Sequence, residues 1–375
     1  MHVHKNISVL HLSATKDWGG GENHLLNLVA HDLPGTNDQH FILCAKNSAI
    51  HKRLSGEKIN IYPALMLHKL SLNYVFRIIY LCKKNKINLI HIHDTTALTL
   101  AVMATKFADL PRFIFSKKTS YLIKERKGTL YKYNHPKIAK ILCVSNKTKE
   151  NCKTAIEDHS KLVRVYHGTN TNKLSVRNDI NFRKKLRLSE NEILIGNIAN
   201  HWRSKNLATF LECANQIVNI RKQKNIHFIQ IGQFTKYTPA LLKLQNELDL
   251  NKNVHFFNEI DDASGLIPQF DISLVTSQSE GLPQFIYESF YYKVPVVSTN
   301  VGGIPEIIED GVNGMLSNPY KPQSLADKLI ALLNDKLKIK EFAGLSHQKL
   351  IENYTTRKMA EQTLAEYKKV LYGKN

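Results

Sequence analysis

Between residues 279 and 314 the chain reads S-E-G-L-P-Q-F-I-Y-E-S-F-Y-Y-K-V-P-V-V-S-T-N-V-G-G-I-P-E-I-I-E-D-G-V-N-G, and two carboxylates, Glu280 and Glu288, stand near its start with seven residues between them. Gly281, Leu282, Pro283 and Gln284 follow the first of them. A proline has a fixed φ and no N–H, so Pro283 suits the first turn of a helix, here expected to run to about residue 292. The free amides at the head of that helix carry partial positive charge and suit a phosphate. One carboxylate overhangs those amides and the other lies about two turns along the helix flank. Such a pair can accept hydrogen bonds from hydroxyls on both sides of a bound diphosphate. A short apolar run at 271–276, rich in β-branched residues, reads as a buried parallel strand that delivers the loop.

Taken in order, E-G-L-P…E-S-F, P-V-V-S-T, V-G-G-I-P-E-I-I and G-V-N-G resemble the donor-binding signature of retaining glycosyltransferase family four, whose fold is GT-B. The resemblance implies an α/β protein with two Rossmann-like, doubly wound domains facing across a cleft: 1–172 for the acceptor, 173–354 for the nucleotide sugar, and a terminal helix at 355–375 packing back on the first. It implies transfer of a sugar, with retention, from a nucleotide-sugar donor of UDP type to a saccharide or glycolipid acceptor in envelope polysaccharide or lipopolysaccharide synthesis. Glu288 would hold the ribose hydroxyls and Glu280 those of the donor sugar, while Gly281, Leu282, Pro283 and Gln284 would face the phosphate or sugar. Two rivals keep the fold: a nucleotide-sugar 2-epimerase or hydrolase, and a non-catalytic partner subunit.

The remaining elements must bring other residues to the same place. A strand at 7–12 leads through Gly19, Gly20 and Gly21 into a helix at 24–33, where glycines let backbone amides approach an anion. By resemblance this loop closes over the donor diphosphate and the acceptor. His91 and His93 share one face of a strand at 87–93; with no third ligand evident they read as polar lining, and the resemblance puts His93 beside the cleft. The strand from 110 ends at Lys117 and Lys118, and the family commonly places a histidine where Lys117 stands. A lysine there would neutralise a phosphate or hold an anionic acceptor rather than act as a base. Further along, a strand at 193–199 exits through Asn200, Arg203 and Lys205. Lys205 matches a diphosphate-binding lysine of the family, Asn200 replaces its usual arginine, and Arg203 is close enough to substitute. Gly232 ends a strand whose loop would wrap the nucleotide base. Lys205 and Arg203 would stabilise the leaving diphosphate, as a metal does elsewhere. No Asp-x-Asp motif is present, so neither metal nor other cofactor is expected.

Composition limits the alternatives. The 375 residues are 43% apolar and 22% charged, enough for two globular domains. No apolar run approaches the roughly 18 residues that cross a bilayer, and residues 1–6 lead straight into a strand, so no secretory leader is expected. Five scattered cysteines read as free thiols of a reducing, cytoplasmic compartment. The net charge of +20 is lopsided: residues 1–174 hold 27 Lys+Arg against 11 Asp+Glu. Within them, 112–164 holds 14 against 4, interleaved with aromatic and aliphatic residues. A surface of that kind favours an anionic acceptor or the inner face of a membrane. Nucleic acid is the least favoured partner, and none is expected, because no recognition motif accompanies the charge.

Overall fold

The computed structural model describes residues 6–29, 39–56 and 59–373. The expectations for residues 1–5 and for the end of the first helix, 30–33, lie outside them. The chain divides into two compact units, Met1–Gly168 together with Thr356–Asn375, and Thr169–Thr355.

In the first unit strands and helices alternate as β1 (Ser8–Ser13), α1 (Gly20–Val29), β2 (Gln39–Ala45), α2 (Ala49–Leu54), β3 (Asn60–Ala64), α3 (Leu72–Lys84), β4 (Leu89–Ile92), α4 (Thr95–Ala104), β5 (Arg112–Lys117), α5 (Lys127–Tyr133), β6 (Ile138–Cys143), α6 (Asn146–Lys153) and β7 (Leu162–Arg164). The seven strands form one parallel sheet, ordered β3-β2-β1-β4-β5-β6-β7. Side chains alternate across it. Leu10, Leu12, Ile90, Ile92, Phe113 and Phe115 face the core shared with α3 and α4. Val9, Leu89, Ile114 and Leu142 face the terminal helix Thr356–Tyr372, through Met359, Ala360, Tyr367 and Val370. Each fully buried aliphatic side chain contributes roughly 1.5–3 kcal/mol. Helix starts follow cap chemistry: Ser71, Asp94 and Ser145 accept hydrogen bonds from the first-turn amides of α3, α4 and α6.

The second unit runs α7 (Phe182–Leu186), β8 (Ile193–Ile198), α8 (Leu207–Asn215), β9 (Ile226–Ile231), α9 (Thr238–Glu247), β10 (Val254–Phe257), β11 (Ile272–Val275), α10 (Gln284–Tyr291), β12 (Val296–Thr299), α11 (Ile304–Ile307), β13 (Met315–Ser317), α12 (Pro322–Leu333) and α13 (Lys336–Asn353). Its six strands are parallel in the order β10-β9-β8-β11-β12-β13. Helix α8 stays α-helical only to Asn215 and then widens into a π turn, Gln216–Ile220. Both sheets reverse direction of growth once, between β1 and β4 and between β8 and β11. Ligands of open α/β sheets bind beyond the strand carboxyl ends at such points. The loops that leave these four strands carry the glycine triplet, His93, Asn200 to Lys205, and Glu280.

Candidate functional site

In the second unit, Thr276 and Gln278 after β11 grip the loop after β8. The Thr276 hydroxyl donates to the carbonyls of Lys205 and Asn206 at 3.2 Å each, and the Gln278 amide donates to the Ser204 carbonyl at 2.9 Å. This latch sets the Lys205 ammonium 2.6 Å from Oε1 of Glu280, and the Ser277 hydroxyl donates to that same oxygen at 2.6 Å. The carboxylate is thus held by two donors and is 10% exposed. Arg203 is exposed on the same loop. Asn200 turns elsewhere: its side-chain oxygen accepts from the Gln233 amide at 3.0 Å, tying the exits of β8 and β9 together. Gly232 is sterically required at that crossing, because a Cβ there would lie 2.0 Å from the Ala199 carbonyl oxygen.

The head of α10 is open. Pro283 takes the N-cap position rather than the first helical one, with no side chain capping the amides behind it. Gly281, Leu282 and Pro283 are buried, and both polar atoms of the Gln284 amide are buried without a partner. Glu288 lies one turn beyond Gln284 on the same helix face. Burial pushes its carboxyl up to about 7. A residue that the sequence reading passed over fixes the loop in front. Gly302 has φ +58 and its backbone presses on Glu280 so closely that a Cβ would sit 1.8 Å from the Glu280 carbonyl oxygen. Beside it the Gly303 amide donates to the Gly281 carbonyl at 3.0 Å. The V-G-G doublet is the signal for this contact, since only glycine tolerates both the φ and the approach.

In the first unit the glycine loop and the β5 exit meet. Lys118 donates to the Gly21 carbonyl at 2.7 Å, and burial pulls its ammonium down to about 8 despite the nearby carboxylates of Glu22 and Asp94. Gly20 has open space where a Cβ would go. Lys117 turns away from the loop, donating to the Thr119 carbonyl and hydroxyl and to the Tyr121 carbonyl, so its charge braces its own strand exit. His93 is buried with Nδ1 unpartnered, while Nε2 lies 3.0 Å from Nδ1 of His11. His11, missing from the sequence reading as a third ring, supplies what His91 and His93 lacked there. One nitrogen from each of the three lies within 4.8 Å of the others, a group able to hold a metal ion. Parallel pairing puts His11 opposite His91, and His91 is further held by Ser116 at 2.7 Å and Tyr367 at 2.5 Å. Burial, together with neighbouring histidines and Lys118, keeps His11 and His93 well below the usual imidazole range, so both are neutral at pH 7. All five cysteines are free and buried.

Two family models match, one in each unit: Glycosyltransferase Family 4 over residues 18–173 and Glycosyl transferases group 1 over residues 192–335. The capsular polysaccharide biosynthesis glycosyltransferase CapH of Staphylococcus aureus is 25% identical over 348 residues, 88% of this chain and 92% of that one. The UDP-Gal:alpha-D-GlcNAc-diphosphoundecaprenol alpha-1,3-galactosyltransferase of Escherichia coli is 22% identical over 268 residues, 68% of this chain and 69% of that protein. The chain spans about half or less of the length of the first curated relatives it matches, 49% and 35%. Among solved structures, Anabaena Alr3699/HepE in complex with UDP and glucose superposes with a TM-score of 0.83 at 18% identity, covering 96% of this chain and 99% of that one. The two halves thus match, in chain order, models of glycosyltransferase family 4 and of glycosyl transferases group 1, and the fold is GT-B.

Proposed function

We propose that the protein transfers a sugar, with retention, from a UDP-sugar to a saccharide or lipid-linked saccharide acceptor. The observation that carries this reading is the head of α10, where an uncapped helix end and the unpartnered Gln284 amide lie between Glu280 and Glu288. Buried polar groups are costly without partners, so an orphaned amide beside free helix amides marks a place that a ligand completes. On this reading the helix end and Gln284 receive the donor's phosphate or sugar, Glu288 the ribose hydroxyls, and Glu280 the sugar hydroxyls. Lys205 then leaves Glu280 to meet the departing diphosphate, with Arg203 beside it, and this supplies charge stabilisation without a metal. Lys118 and His93 serve the acceptor side. The UDP-bound structural neighbour and the relative that extends a diphosphoundecaprenol-linked sugar support the donor and acceptor classes.

The test is binding and slow hydrolysis of a panel of UDP-, GDP- and ADP-sugars by the wild type beside Glu280→Ala and Glu288→Ala. One UDP-sugar bound and turned over, and lost in both variants, is the expected result. Absence of any binding would transfer the reading to the non-catalytic partner subunit. Turnover at full rate without acceptor would transfer it to the epimerase or hydrolase.

A further inference from the structure

Basic residues at 112–164 suggested a polyanion-binding surface, but the fold uses many of those cations internally. Lys117 and Lys118 bind loop carbonyls, Lys132 donates to Thr99 at 3.1 Å, Lys140 to the Ser160 carbonyl at 2.9 Å, and Lys137 pairs with Asp109. A more one-sided stretch lies earlier. Residues 59–108 hold six cations, Lys69, Arg77, Lys83, Lys84, Lys86 and Lys106, and one acid, Asp94. The Asp94 carboxylate is occupied by the amides of Ala14, Thr96 and Ala97. All six cations are exposed, and none has an ion-pair partner among the described residues.

The same stretch exposes apolar side chains. Leu65, Leu67, Leu70 and Leu72 are 51%, 73%, 60% and 54% exposed on the segment entering α3. That segment is folded onto the helix: Ser71 donates to the Leu65 carbonyl at 2.8 Å, and the Leu65 amide donates to Asn73 at 3.1 Å. At 100° per residue, Leu72, Phe76 and Tyr80 form one stripe of α3, flanked by Lys83, Lys84 and Arg77 within about 140° of arc. Tyr74, Val75, Ile78, Leu81 and Cys82 face the core on the opposite side. Phe107 extends the stripe, its ring centroid 5.7 Å from that of Phe76, and the Lys84 ammonium lies 5.5 Å from the Tyr80 ring.

Exposed leucines and aromatic rings gathered on one helix face and the turn before it mark an interaction surface, and a merely solvated helix face mixes charges of both signs. Leucines at a projecting turn, aromatic rings beside them and unpaired cations around them match an interfacial surface: acyl boundary, headgroup level and lipid phosphates in turn. No helix among the described residues is long and apolar enough to cross a membrane. We infer that this face, from Leu65 through α3 to Phe107, docks on an anionic phospholipid bilayer. The inference deepens the lipid-linked acceptor class proposed above, yet lipid binding is read without turnover, so the two can fail separately.

The experiment is sedimentation of the full chain with vesicles of phosphatidylglycerol and phosphatidylethanolamine, or of phosphatidylcholine alone, without donor. Expected is at least tenfold stronger binding to the anionic vesicles, weakened by high salt. A Leu67→Ser/Leu70→Ser variant and a Lys69→Glu/Lys83→Glu variant, each with an unchanged circular-dichroism melting curve, should each lose at least tenfold. Lys147→Glu/Lys149→Glu should bind as the wild type does. Equal binding to both vesicle types, or indifference to the α3-face variants, overturns the inference. So does a dimer in solution that the leucine variant dissociates, because a second copy would then cover the face. Loss of sugar transfer with lipid binding intact bears on the proposed function alone.

Discussion

The Lys205 ammonium lies 2.6 Å from the Glu280 carboxylate, across 75 residues of sequence. Without donor the two candidate donor-binding charges neutralise each other in a setting where the carboxylate is nearly buried. Removing the cation leaves that carboxylate with Ser277 alone. Lys205→Ala should therefore cost on the order of 2 kcal/mol of stability as well as donor turnover, and Glu280→Gln less, since a neutral amide needs no counter-charge. Urea denaturation of the two variants measures this; equal stability of Lys205→Ala and wild type would falsify the pairing as an energetic contact.

Gly302 and Gly20 offer a contrast. A Cβ at Gly302 would lie 1.8 Å from the Glu280 carbonyl oxygen at a φ of +58, whereas Gly20 has nothing within 4 Å. Gly302→Ala should lose more than about 2 kcal/mol and displace Glu280, abolishing donor binding. Gly20→Ala should change stability by less than about 0.5 kcal/mol and leave donor affinity near wild type. Calorimetry of both with a UDP-sugar decides the matter, and a silent Gly302→Ala would contradict the close contact.

Donor affinity should rise with pH. The Glu288 carboxyl is pushed up to about 7 by burial, and ribose hydroxyls bond more strongly to the ionised form. From pH 6 to 8 the ionised fraction climbs from about a tenth to about nine-tenths, so affinity should improve by up to about tenfold. Stability runs the other way. A raised acid pKa means that the unfolded chain ionises first, so the second unit loses stability as pH climbs from the ordinary carboxyl range to about 7. Both trends should vanish in Glu288→Gln; a pH-independent dissociation constant for the wild type would remove Glu288 from the donor site.

Tyr367 of the terminal helix holds Nδ1 of His91 at 2.5 Å inside the first unit. Tyr367→Phe keeps the ring and strands a buried imidazole nitrogen, at a cost of about 1–3 kcal/mol. The melting temperature should fall accordingly, and an unchanged value would show that water replaces the hydroxyl.

His11, His91 and His93 make metal dependence an experimental matter despite the absence of an Asp-x-Asp motif. The expected outcome is that exhaustive dialysis against a chelator leaves turnover unchanged and that elemental analysis finds no bound transition metal. Loss of activity, restored by zinc or manganese and abolished in His11→Ala, would assign the trio a catalytic ion.

Much of the fold could be read along the chain because its causes are local. Short β-branched runs alternate with helical spacing, Ser71, Asp94 and Ser145 cap where helices begin, and Pro283 marks the head of α10 to within one residue. The short helices α2, α5 and α9 went unforeseen, since six to ten residues of mixed polarity show little periodicity. Charge counting over 112–164 is blind to which lysines the fold occupies, as it does Lys117 and Lys140.

The sequence by itself determined the parallel α/β class, the order of elements and the setting of Glu280 and Glu288 around a helix start, all consequences of neighbours within a few turns. The tertiary structure alone decided that Lys205 rests on Glu280, that Gly302 packs against the Glu280 backbone, that Lys117 turns inward while Lys118 reaches Gly21, and that His11 joins His91 and His93. These are contacts between residues far apart in the chain. They depend on strand order and register, which a linear pattern does not encode.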